Sequence, residues 1–303
     1  MFYPLRNGTT TYIMASFDLP TFCRIVQEYK VTFANIVPPV AVALAKHPII
    51  DQFDFSSLRE LQSAAAPAPK EIIQALHQRL KVPLRQVYGI SEAAPGIASQ
   101  RTQNWNKPIG CCGHLWPGMS AKIVVDWEEV KVGKDGEICL KGPNIFIGYH
   151  ANPTATAAGF DSEGWYHTGD VGFIDTAGNI SISDRLKELI KYNGFQVAPA
   201  QLEDLLLGHA AVADVAVIGV YSAARATELP RAYVVVAAGY NGDAKLEEEL
   251  QGWFNERVSP YKKLRGGIRF VDVVPKSNAG KILRRVLIEQ AKKEEENGAK
   301  AKL

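Results

Sequence analysis

The chain has 303 residues, 47% of them hydrophobic and 22% charged, which is ordinary globular usage and excludes a wholly disordered or collagen-like chain. At roughly 150 residues per domain this length fits about two domains. The net charge of +2 is too small to argue for nucleic acid, and no apolar run reaches the roughly 18 residues of a membrane span.

In chain order, Thr10–Met14 is rich in β-formers and reads as a strand. Asp18 followed by Leu19 and Pro20 suits a helix start, and Thr21–Tyr29 continues it as an amphipathic helix. Thr32–Val37 reads as a strand, Val40–Ala45 as a helix and Leu58–Ala65 as a strand. Pro69–Leu80 places Ile72, Ile73, Leu76 and Leu80 at helical spacing, and Leu84–Val87 follows as an apolar strand. Strands alternating with helices imply a parallel sheet. From Ile109 the texture changes: Gly and Pro recur between short β runs at Ala121–Val125, Glu137–Leu140, Val171–Asp175 and Asn179–Ser183, the pattern of an antiparallel region or small barrel. After Arg185 the chain is α/β again: helix Pro199–Leu207, strands Val212–Val220 and Arg231–Ala237, helix Lys245–Val258, strand Arg269–Val273 and helix Ile282–Glu296.

The cysteines, Cys23, Cys111, Cys112 and Cys139, form no CxxC pair and no zinc-ligand spacing, and read as buried or half-buried reduced thiols. Residues 1–6 lack the pattern of a signal peptide.

Three loops carry chemistry. Tyr88-Gly89-Ile90-Ser91-Glu92 follows an apolar strand, the place where α/β sheets bind ligands, and its carboxylate suits Mg²⁺ beside a phosphate; a Ser-Glu helix start is the plainer alternative. Gly164-Trp165-Tyr166-His167-Thr168-Gly169-Asp170 ends in an acid that could accept both hydroxyls of a ribose, or simply cap a turn. Pro275 to Arg285 presents Lys281 on a Gly-rich turn, suited to phosphate oxygens or to a solvated basic loop, without the frame of a P-loop.

Together these loops resemble the adenylate-forming superfamily, most of all the 4-coumarate:CoA ligase-like acyl-CoA synthetases of fungal type. Gly136 to Pro143, Asp184 to Pro199 and Pro260 to Gly267 extend the likeness in the family's order. The resemblance implies the C-terminal part of a large adenylate-forming domain (parallel sheet plus small β-barrel) over residues 1–184 and a small α+β domain over residues 185–303. It implies an α/β enzyme in which a carboxylate attacks the α-phosphate of ATP with Mg²⁺, giving acyl-AMP and pyrophosphate. Coenzyme A then displaces AMP after the small domain rotates about a hinge. By position, Ala65, Gln86, Tyr88, Gly89, Ser91, Asp170 and Arg185 would bind nucleotide and Glu92 the metal. Lys187 would be the hinge, and Lys281 the adenylation lysine that draws two anions together. Lys191 and Gln196 would serve thioester formation, Asn193 and Gly194 coenzyme A, and Gln62, Val87 and Gly96 the acyl pocket.

Departures temper this. The family's Ser/Thr/Gly-rich phosphate loop ending Pro-Lys-Gly is absent; Asn7 to Thr11 is only superficially similar, and Met1 aligns inside the large domain. The chain is therefore expected to be N-terminally truncated, with impaired adenylation. Ser16 and Asn193 stand where relatives carry cations, and Val87 replaces a glycine, which should shorten the acyl pocket. The final Ala301-Lys302-Leu303 is similar to a peroxisomal address, implying an import receptor as partner beside the small-molecule carboxylic acid. The alternatives are an inactive remnant or nucleotide- or partner-binding fragment, and an amino-acid adenylation domain, the latter disfavoured because no carrier domain follows Lys281.

Overall fold

The computed structural model describes residues 6–223, 225–277 and 280–300, with side chains as far as residue 294. Ala301-Lys302-Leu303 lie outside the described residues.

The first helix, α1 (Leu19–Glu28), starts where Asp18 accepts a hydrogen bond from the Thr21 N–H at 2.9 Å. It buries Cys23 and Val26. Strand β1 (Phe33–Ile36), helix α2 (Pro38–Lys46), strand β2 (Glu60–Ser63), helix α3 (Lys70–Leu80) and strand β3 (Leu84–Gly89) follow as two β-α-β units. Both connections place a helix between parallel strands, as such a crossover requires. Val40, Leu44, Leu61, Ile72, Ile73, Leu76 and Leu84 form the core they share.

Two expectations are corrected. Thr10–Met14 is irregular and pairs with no described strand; Tyr12 stacks on Tyr29 at 4.3 Å instead. β-propensity alone does not make a strand without a neighbour to pair with. The first sheet is mixed rather than parallel: after β3 come β4 (Gly96–Ser99) and β5 (His114–Leu115), both antiparallel. The connection from Gly89 to Gly96 is too short for a crossover helix, so the chain must turn back.

The second sheet contains β6 (Ser120–Val125), β7 (Glu128–Glu129), β8 (Gly136–Lys141), β9 (Tyr166–Ile174) and β10 (Ile180–Arg185). Helix α4 (Pro153–Ala158) lies between β8 and β9 in sequence. Its strands are all antiparallel in the order β10-β9-β8-β6-β7, the antiparallel region the sequence pattern implies, and Ile180 of β10 exchanges backbone hydrogen bonds of 2.7 and 2.8 Å with Cys112 and Gly113, which lead into β5.

The last part begins with a hairpin, β11 (Ile190–Tyr192) and β12 (Phe195–Val197). Helix α5 (Pro199–Leu207), strands β13 (Val212–Ser222) and β14 (Thr227–Val236), helix α6 (Ala244–Asn255), strand β15 (Ile268–Phe270) and helix α7 (Arg284–Lys300) complete it. Leu202, Leu206, Val215, Val234, Leu250 and Phe254 belong to its main core, while Leu287 and Ala291 of α7 pack with Ile218 and Tyr233. All four cysteines are free and buried, in line with the sequence reading. Among the described residues no helix is long and apolar enough to cross a membrane.

Candidate nucleotide-binding cleft

A cleft runs between the N-terminal elements and the last part of the chain. The bend of the chain after β2 forms one wall. Ala65 has φ +76°, a left-handed backbone, and Gln86 pins the loop by accepting a hydrogen bond from the Ala68 N–H at 2.6 Å. Gln86 is itself 2% exposed, and its own backbone N–H donates to Gln100. The end of β3 forms the floor. Here Gly89 is obligatory, because a Cβ would lie 2.1 Å from the Pro95 carbonyl oxygen.

At the centre Tyr88 donates its hydroxyl to Asp170 Oδ2 at 2.8 Å, and Arg185 Nε lies 3.1 Å from Asp170 Oδ1. Asp170 is 4% exposed. Burial pushes its pKa up, against the pull of Tyr88, Arg185 and Lys281. Burial and the Asp170 charge push the Tyr88 phenol up as well, so it stays a donor. The Cys112 thiol in the wall is pushed up to about 12 by burial, which leaves it protonated and un-nucleophilic at neutral pH.

The opposite wall carries Lys281. Its backbone N–H donates to Ser277 Oγ at 3.2 Å, and its carbonyl accepts from the Ser277 N–H at 2.8 Å. Gly280, at φ +76°, lets this turn approach Val37 and Pro39 at the start of α2. Below it Arg284 donates to Glu203 Oε2 at 3.0 Å and pairs with Glu188 at 2.9 Å, and Lys276 pairs with Asp214. Burial raises Glu203 to about 7 despite Arg284. Asp204 is raised to about 8 by burial and by the charges of Glu203 and Glu71, with Lys70 opposing.

Of the residues singled out in the sequence, Ala65, Gln86, Val87, Tyr88, Gly89, Asp170, Arg185 and Lys281 line this cleft. The others lie outside its lining. Ser91 and Glu92 form a short turn beyond β3, where Glu92 Oε1 accepts from the Tyr149 hydroxyl at 2.9 Å. Gln62 sits within β2, paired with Asn35 and Arg85. Gly96 is buried under the Trp116 ring, which would lie 2.0 Å from a Cβ there. Lys187 is exposed in the turn after β10. Lys191, Asn193, Gly194 and Gln196 are exposed on the β11–β12 hairpin, which is held to β14 by Glu228 and Thr227. Sequence reasoning passed over Arg284, Glu203 and Asp204. The first sits three residues past Lys281, but the two acids look like any others on an amphipathic helix.

The description "AMP-binding enzyme" belongs to the family model that matches residues 1–150, and "AMP-binding enzyme C-terminal domain" to the one that matches residues 201–281. 4-Coumarate:CoA ligase 1 of Petunia hybrida is 42% identical over 291 residues, covering 93% of this chain and 52% of its own length. The 4-coumarate–CoA ligase of Pinus taeda is 43% identical over 289 residues, with 93% and 52% covered. Among solved structures, the anthranilate CoA ligase AuaEII in complex with anthranoyl-AMP superposes with a TM-score of 0.87 at 26% identity, over 94% of this chain and 55% of that one. The o-succinylbenzoate CoA synthetase of Bacillus subtilis, in complex with its acyl-adenylate, gives 0.80 at 26% identity, over 94% and 57%. The chain belongs to the AMP-binding, adenylate-forming enzyme family. It spans about half the length of the curated relatives it matches.

Proposed function

We propose that the protein is an ATP-dependent acyl- or aryl-CoA ligase, and that the cleft holds the nucleotide half of its acyl-AMP. The observation that carries this reading is the meeting of Tyr88, Asp170, Arg185 and Lys281 in one cleft. Asp170 offers a buried carboxylate to ribose hydroxyls, the Tyr88 ring offers a face to the adenine, and Lys281 offers a mobile cation to the α-phosphate. The carboxylic acid attacks that phosphorus, a bond to pyrophosphate breaks, and the acyl-AMP is later cleaved by the thiol of coenzyme A. Both partners of the first step are anions, so a cation that bridges them lowers its barrier, and the presence of Lys281 in the cleft lining supports that role for it. Among the described residues Glu92 engages one carboxylate oxygen, with Tyr149, and its other oxygen suits Mg²⁺, an ion commonly shared between one carboxylate, water and substrate phosphates. The metal would neutralise phosphate charge. Lys191, Asn193, Gly194 and Gln196 on the hairpin outside the cleft support a second surface for the thioester step.

The test is AMP binding by the purified chain, followed by pyrophosphate release with Mg-ATP and a panel of aryl and medium-chain carboxylic acids. Release is expected to be weak from this chain alone, and in a longer form that does release pyrophosphate Lys281→Ala should abolish release while sparing thioester formation from preformed acyl-AMP. Equal loss of both steps would refute the role given to Lys281. AMP binding without release would make the chain a nucleotide-binding fragment, and no AMP binding would overturn the reading altogether. The peroxisomal destination read from Ala301-Lys302-Leu303 belongs to the same proposal. A fluorescent protein carrying the final residues tests it, and diffuse cytosolic signal refutes it.

A further inference from the structure

We infer that Glu137 is the positioning residue that presents Asp170 to the ribose, and this rests on the nucleotide reading above. The pairing of β8 with β9 slips between Glu137 and Cys139: Glu137 faces Val171, while Cys139 faces His167. Residues 168–170 therefore bulge from the ladder, and Gly169 sits at φ +69°. The bulge turns Asp170 toward Tyr88 and Arg185, but it costs the Gly169 N–H its strand partner. The Glu137 side chain supplies the missing acceptor: Oε1 takes the Gly169 N–H at 2.9 Å. Oε2 lies 2.8 Å from His167 Nδ1, which fixes the carboxylate from its other side. Thr168 completes the turn, donating to the Ile138 carbonyl at 2.7 Å and accepting from the Asp170 N–H at 3.0 Å.

Glu137, Cys139 and His167 also bring one ligand atom each within 4.8 Å of one another, a set that could suggest a metal. Both oxygens of Glu137 and Nδ1 of His167 are already engaged in the turn, and the Lys122 ammonium beside Asp161 adds a cation next to them. The arrangement is that of a brace behind the ribose-binding carboxylate. A charge-assisted bond to a backbone N–H is among the stronger fixings a turn can have.

The experiment compares the affinity of the full chain for AMP and for 2′,3′-dideoxy-AMP, which lacks the hydroxyls Asp170 would hold. The unaltered chain should prefer AMP. Glu137→Ala should lower that preference by about tenfold, the effect of misplacing a charged acceptor, without changing the affinity for the dideoxy nucleotide. Glu137→Gln should restore most of it, because its amide oxygen can still accept from Gly169. Equal weakening of both nucleotides, or full preference retained in Glu137→Ala, would overturn the inference alone. An unaltered chain that binds AMP without preferring it over the dideoxy form would overturn the ribose assignment of Asp170, and with it this inference. Thermal melting of each variant separates loss of fold from loss of preference.

Discussion

A buried carboxylate has an energetic consequence that its neighbours decide. Asp170 carries its burial because Tyr88 and Arg185 satisfy its oxygens. Asp204 makes no such bargain: it is half-buried beside Glu203 and Glu71. With Glu203 raised to about 7 and Asp204 to about 8, both bind protons more tightly in the folded chain than in the unfolded one. Their contribution to stability is therefore complete below the ordinary carboxylate range and is lost as pH rises through about 7 to 8. The melting temperature should fall from pH 6 to pH 8, with each group contributing at most about 1.4 kcal/mol per pH unit. Asp204→Asn should raise the melting temperature at pH 8 and flatten the slope. A variant that melts as the parent does across this range would show that Asp204 stays ionised. Neither acid was legible as unusual in the sequence, since both lie in a helix whose packing partners come from distant segments. Asp170 and Lys281 were legible, because their loops carry local signatures of glycine, aromatic residue and charge.

Elements were legible to the degree that their signals are local. Helix α1 follows from Asp18 and Pro20, and α3 from the spacing of Ile72, Ile73 and Leu76. Strand direction in the first sheet was not, because it depends on how β4 returns. The β11–β12 hairpin shows both sides. Asn193 at φ +47° and Gly194 at φ +83° are the residue pair preferred in a tight turn with two left-handed positions. Asn193, which stands where the family resemblance implies a cation, thus serves this turn. Gly194→Ala meets no atom within 4 Å, so its cost is the backbone angle alone, about 1–2 kcal/mol. Denaturant melts should show that loss while AMP affinity stays constant, the hairpin being outside the cleft. Unchanged stability, or weakened AMP binding, would contradict this account.

Across the whole molecule, one side chain joins the two ends of the fold. Lys46, at the end of α2, donates to the Leu207 carbonyl at 2.9 Å, at the last turn of α5, and reaches the Val212 carbonyl at 3.5 Å. A cation at a helix C-terminus meets its unpaired carbonyls and the negative end of its dipole. Burial lowers the Lys46 pKa, the cost of placing it there. Lys46→Met should cost about 1 kcal/mol and speed hydrogen exchange in α5, and the cleft should close less firmly on AMP. Exchange in α5 unchanged from the parent would show that other contacts hold the two parts together. The sequence by itself determined most helices and strands, the reduced cysteines and the family likeness, because caps, periodicity and motif loops act over a few residues. Only the tertiary structure decided that Tyr88 and Asp170, 82 positions apart, share a hydrogen bond in one cleft with Lys281, and that the hairpin residues stand outside it. It also decided that Glu137 braces Gly169. Such distances are set by sheet register and by packing between remote segments, which no local pattern of residues records.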